Sequence, residues 1–84
     1  MPDETEQLKN AFSNVLGVDP TANFEELSYG NTAGWDSVAH MSLVAEIEKT
    51  FDVMLSTEDV IGLSSFPEAR KILTGYGIQF PAAG

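Results

Sequence analysis

Between Asp3 and Val18 the apolar residues Leu8, Phe12, Val15 and Leu16 recur at intervals of three and four, which lays one stripe along a helix. Asp3, Glu4 and Glu6 stand at its N-terminal end, where negative charge is favourable, and Gly17 supplies a stop. A second periodic stretch, "SVAHMSLVAEIEKTF", carries Leu43, Ile47 and Phe51 in a regular i, i+4, i+8 row flanked by Val44 and Met41, with Glu46, Glu48 and Lys49 off the row. Asp36 and Ser37 are both good N-cap types for this helix, and the pattern alone leaves the choice between them open. "STEDVIGL" predicts a short helix capped by Ser56 or Thr57, acidic in its first turn and ended by Gly62. "SSFPEARKILTGYG" predicts the last one, capped by Ser64 or Ser65, with Pro67 in the first turn, Ala69, Ile72 and Leu73 inward and glycines at its end.

The connections read differently. From Asp19 to Trp35 the chain is rich in Pro, Asn, Thr, Ser and Gly, and predicts a long ordered loop whose Phe24, Leu27, Tyr29 and Trp35 fold back onto the helices. "DVML" has a brief apolar, β-branched look, but four residues without a partner make no sheet, so it reads as a packed connector. The tail from residue 79 to 84 is expected to be flexible, leaving an ordered core of roughly 4–78.

With 84 residues and 43% hydrophobic content, the chain has enough apolar material for one compact core and no room for a second domain. Thirteen acids against four bases give a net charge of -9, spread along the chain. That field repels nucleic acid and anionic membrane surfaces and draws in basic protein patches. The absence of cysteine removes disulfides, thiolate metal sites and a cysteine nucleophile. The first residues lack a signal-like apolar core and no apolar run approaches the roughly 18 residues that span a bilayer, so a cytoplasmic location is expected. The Asp/Asn ligand pattern of a calcium loop is missing, and His40, the one histidine, has no companion with which to build a metal site or a catalytic set. His40 is expected to be an exposed residue on the outward side of the second helix.

"DSV" at Asp36 to Val38, followed by "LVAEIEKTFDVML", with "LGV" upstream and "TEDV" downstream, resembles the acyl carrier protein family over nearly the whole chain. The resemblance implies an all-α, four-helix bundle of acyl-carrier type, with three longer helices, a short third one and a long first loop, as a single carrier domain over 1–84. It implies that Ser37 carries a covalent 4'-phosphopantetheine arm derived from coenzyme A, that Asp36 belongs to the motif and contacts Mg²⁺ during modification, and that the domain itself is no enzyme. The implied partners are a phosphopantetheinyl transferase and acyl-loading and acyl-processing enzymes with basic patches, which a monomer would meet through Val38, Met41, Glu46, Glu48, Glu58 and Asp59.

Each of these residues has a plainer reading: helix capping for Asp36 and Ser37, partial burial for Val38, core filling for Met41, a solvated face for the acids, and loop packing for Trp35. Val38 stands where the family commonly has leucine, Ser42 where many fatty-acid carriers have glutamate, and Lys49 adds a positive charge nearby. These departures leave room for a dedicated pathway, polyketide or aminoacyl, beside fatty-acid synthesis. An unmodified acidic helical adaptor for a basic protein is the alternative of another class.

Overall fold

The computed structural model describes residues 3–19 and 21–81. Among them are α1 (Glu4–Leu16), α2 (Ser37–Phe51), α3 (Thr57–Gly62) and α4 (Phe66–Gly75), with a 3₁₀ helix (Phe24–Glu26) inside the long first connection. The all-α class is as expected: among the described residues there is no strand, and only one isolated bridge, Ser28 to Ser65. Each helix begins on a side chain that satisfies a first-turn amide. Asp3 accepts from Glu6 N–H at 2.9 Å, Ser56 from Asp59 N–H at 3.2 Å and Ser65 from Glu68 N–H at 3.1 Å. Of the paired candidates, Ser56 and Ser65 are the caps. At the other end of α1, Gly17 takes the left-handed conformation, φ 71°, and returns its N–H to Ser13 O. Asp52 does the same for α2 at φ 54°, a conformation that Asp tolerates better than most residues.

The apolar stripes meet in one core. Leu8 and Phe12 of α1, Leu43 and Ile47 of α2, and Phe66 and Leu73 of α4 are all without solvent contact. Phe12 lies edge-on to both Trp35 and Phe66, with centroids 5.5 and 5.1 Å away, and Phe24 lies 5.3 Å from Phe66. Aromatic pairs in this range add to what burial alone contributes. The long connection is therefore packed through Phe24, Trp35 and, in part, Leu27. Its backbone is tied down as well, since Tyr29 N–H reaches Ser64 O at 2.8 Å and Phe66 N–H reaches Leu27 O at 3.3 Å. A bidentate pair from Arg70 to Glu25, both bonds 2.9 Å, joins α4 to the 3₁₀ helix. These hydrogen bonds hold the Glu25 carboxyl below the usual carboxylate range, although so exposed a pair contributes at most about 1 kcal/mol.

Two expectations are corrected. Tyr29 does not fold fully inward: its side chain is 44% exposed, because the backbone bond to Ser64 holds it at the rim of the loop. The "DVML" connector is packed only through Leu55 and, partly, Val53, whereas Met54 is 84% exposed. Phe80 is partly buried, with its ring 6.1 Å from Phe51. The expected flexibility of residues 82–84 lies outside the described residues.

α3 differs from the other helices in that it buries no side chain of its own. It is held by what surrounds it: Leu55 and Leu63 at its flanks, the tyrosine hydroxyl of Tyr76, which accepts from Ser56 N–H and donates to Asp59, and a contact from His40 described below. Stability is expected to depend on the aromatic centre far more than on α3. Phe66→Ala should destabilise the fold by about 3–5 kcal/mol in urea unfolding at 25 °C, most of what a domain of this size possesses.

Candidate functional site

The start of α2 resolves the choice that the sequence left open. Asp36 is the N-cap: its backbone is extended and its Oδ1 accepts from Ala39 N–H at 2.8 Å, while its carbonyl accepts from His40 N–H at 2.8 Å. Ser37 is the first helical residue, and its Oγ makes no capping bond. The hydroxyl is exposed, and its protein partner among the described residues is the Tyr29 hydroxyl, 3.3 Å away. The amides of Ser37 and Val38 remain as first-turn donors without an intrahelical acceptor, at the positive end of the α2 dipole. A nucleophilic oxygen is thus presented beside an anion-favouring helix end.

Behind Ser37 an aromatic group sets the shape of the surface. Trp35 is buried, stacks on the His40 ring at 6.1 Å and donates from Nε1 to His40 Nδ1 at 3.0 Å. An indole nitrogen can only donate, so Nδ1 is the acceptor and the imidazole proton sits on Nε2. From there it donates to Val60 O at 2.7 Å, across to α3. His40 is therefore not the exposed, outward residue that the sequence suggested. It is half-buried, and both ring nitrogens are used to join α2, the residue before the motif, and α3. Helical position alone could not reveal this, because one partner is a backbone carbonyl 20 residues away.

Next to this group opens a cavity of about 360 Å³, lined by Tyr29, Ser37, His40 and Met41 on one hand and by Val60, Ile61, Leu63 and Ser64 of α3 and the residues after it on the other. Its wall is mainly apolar, and Ser37 is part of it. Met41 is not core filling: it is 57% exposed and lines this cavity. Ile61, 76% exposed, lines the same cavity, and Val38, next to Ser37 in the chain, is 78% exposed, so the plainer reading of partial burial does not hold for Val38.

The acidic residues divide. Glu58 is exposed and Glu46 half-buried, and neither bonds another side chain among the described residues. Glu48 instead accepts from Leu55 N–H at 2.8 Å and so closes the turn after α2, and Asp59 accepts from the Tyr76 hydroxyl. Trp35 packs inside the loop, consistent with its plainer reading.

The division of labour at Asp36 and Ser37 has a measurable consequence. Asp36→Ala should cost about 0.5–2 kcal/mol through loss of the N-cap. Ser37→Ala, which removes an exposed hydroxyl with no capping bond, should stay within about 0.5 kcal/mol of the parent in the same urea series.

Comparison with known proteins gives this geometry a context. Residues 6–69 match the family model described as "Phosphopantetheine attachment site". The chain is 30% identical to the "Acyl carrier protein" of Karelsulcia muelleri (strain GWSS) over 70 residues, which cover 83% of this chain and 84% of that protein. No solved structure matches. The helical bundle, the open serine at the head of α2 and these two matches place the chain in the acyl carrier protein family, whose members carry a covalently attached 4'-phosphopantetheine.

Proposed function

We propose that Ser37 is the attachment point of the phosphopantetheine arm and that this protein, without catalytic activity of its own, hands acyl groups between separate enzymes. One observation carries the assignment to Ser37: a serine oxygen at the start of a long helix that is spared from capping because Asp36 performs that role. The residues present fit the group. A phosphodiester on Oγ would lie against the free amides of Ser37 and Val38, where backbone donors and the helix dipole favour an anion. When bound, the arm supplies the thiol that a cysteine-free chain lacks, and with it the thioester that activates an acyl group.

The other parts of the surface support roles in recognition. Asp36 is exposed beside Ser37 and can offer its second carboxylate oxygen to a Mg²⁺ ion held by the modifying transferase. Val38, Met41 and Ile61 present exposed apolar area on α2 and α3, and Glu46 and Glu58 on the same two helices add negative charge for basic patches on partner enzymes. Glu48 and Asp59 add to that charge while serving internal bonds. The protein is proposed to act as a cytoplasmic monomer; no helix among the described residues is long and apolar enough to cross a membrane. Ser42 and Lys49, both exposed on α2, leave room for a dedicated polyketide or aminoacyl pathway beside fatty-acid synthesis.

The test is intact mass before and after incubation with coenzyme A, Mg²⁺ and a broad-specificity phosphopantetheinyl transferase. A gain of one phosphopantetheine unit, absent from Ser37→Ala, is the expected result. No gain on folded, unmodified protein would leave the chain as an acidic helical adaptor.

A further inference from the structure

Ser37 has a neighbour that the family assignment does not account for. The Tyr29 hydroxyl is 3.3 Å from Ser37 Oγ, and among the described residues it has no other protein partner. The tyrosine is nonetheless firmly held. Its backbone N–H is bonded to Ser64 O at 2.8 Å, and its ring meets those of Trp35 and His40 edge-on, with centroids 6.1 and 5.5 Å away. Those two rings are in turn locked to each other and to α3 by the bonds through His40. A rigidly mounted phenol whose oxygen points at one exposed serine does little for stability. At 3.3 Å the contact is longer than the optimum of about 2.7–2.8 Å for two hydroxyls, so it is weak as a structural bond and easily exchanged for a better acceptor.

We propose that Tyr29 is a positioning residue for Ser37: its hydroxyl orients the serine oxygen for modification, then donates to the phosphodiester that replaces the serine proton. This rests on Ser37 being the attachment point. In the transfer, Ser37 Oγ forms a bond to the β-phosphorus of coenzyme A and the pyrophosphate P–O bond breaks. Adenosine 3',5'-bisphosphate leaves with the electron pair, and the serine proton passes to a base on the transferase. Tyr29 takes no part in bond making. It restricts the orientations of Oγ beforehand, and afterwards it meets an anionic oxygen, a stronger acceptor than a hydroxyl. The arm would then leave the surface from a fixed point at the mouth of the α2–α3 cavity, which Tyr29 itself lines.

Tyr29→Phe tests this, since it keeps the ring and its packing and removes one oxygen. The unmodified variant should melt like the parent. Its modification by the transferase should slow by about 3- to 10-fold, the effect of one net hydrogen bond, and in kcat more than in KM. Once it is modified, the ³¹P resonance of its phosphodiester should be displaced from the parent position. Replacing Tyr29 by 4-aminophenylalanine, which returns a donor to the same ring position, should restore both readouts in part. A superimposable ³¹P resonance, or an unchanged rate, overturns the proposal even where the other readout moves. If the parent protein takes no arm at all, the attachment reading fails and this one with it; a modified parent with an indistinguishable Tyr29→Phe variant removes only the role of Tyr29.

Discussion

The carboxylate of Asp36 takes the Ala39 amide, and this one hydrogen bond decides what Ser37 is free to do. A helix needs some group at its N-cap to satisfy first-turn donors, and serine is as good a cap as aspartate. Had Ser37 been the cap, its oxygen would be held inward by a backbone N–H. With Asp36 in that place, the helix starts one residue earlier, and Ser37 projects from its first turn as an exposed residue. In the proposed reading the same arrangement persists through modification: the aspartate keeps the helix end while the serine changes from hydroxyl to phosphodiester. In that reading the anchor is fixed to a helix that belongs to the core, with Leu43, Val44 and Ile47 buried.

The two sides of the site are built to different degrees of firmness. α1, α2 and α4 bury their stripes around Phe12 and Phe66, and the loop before the motif joins that core through Trp35. α3 contributes no fully buried side chain; Val60 packs partly against the core, and polar bonds add to the hold, His40 to the Val60 carbonyl and Tyr76 to Ser56 and Asp59. Elements with few buried apolar contacts open at lower cost than the core. The wall of the cavity next to Ser37 that belongs to α3 is accordingly the softer one, and His40 is the link between it and the rigid half.

Much of this was legible in the sequence, for physical reasons that differ from residue to residue. The stripes Leu8–Phe12 and Leu43–Ile47 are strong periodic signals that only burial against a partner explains, so the helices and their inward faces followed directly. The "DSV" motif and its setting carry the resemblance to the family in the sequence itself. What the sequence could not give depends on chain segments meeting. Asp36 and Ser37 have nearly equal capping preference, and the backbone entering α2 chooses between them. His40 seemed exposed because its place on the helix wheel is all that periodicity sees, while its partners come from the preceding loop and from α3. The 3₁₀ turn at Phe24–Glu26 is too short to carry a periodic signal, and Tyr29 gains its position from a backbone bond to Ser64 that no local pattern encodes.

The central claim is that capping and attachment are separate tasks of adjacent residues. Amide hydrogen exchange at Ala39 and His40, whose N–H groups bond to the side chain and carbonyl of Asp36, measures this most directly when followed in the unmodified and the modified protein. The account predicts the same protection in both forms, with the helix start undisturbed by the arm. Loss of protection at these two amides on modification would contradict it, because the serine could then not be altered without undoing the cap.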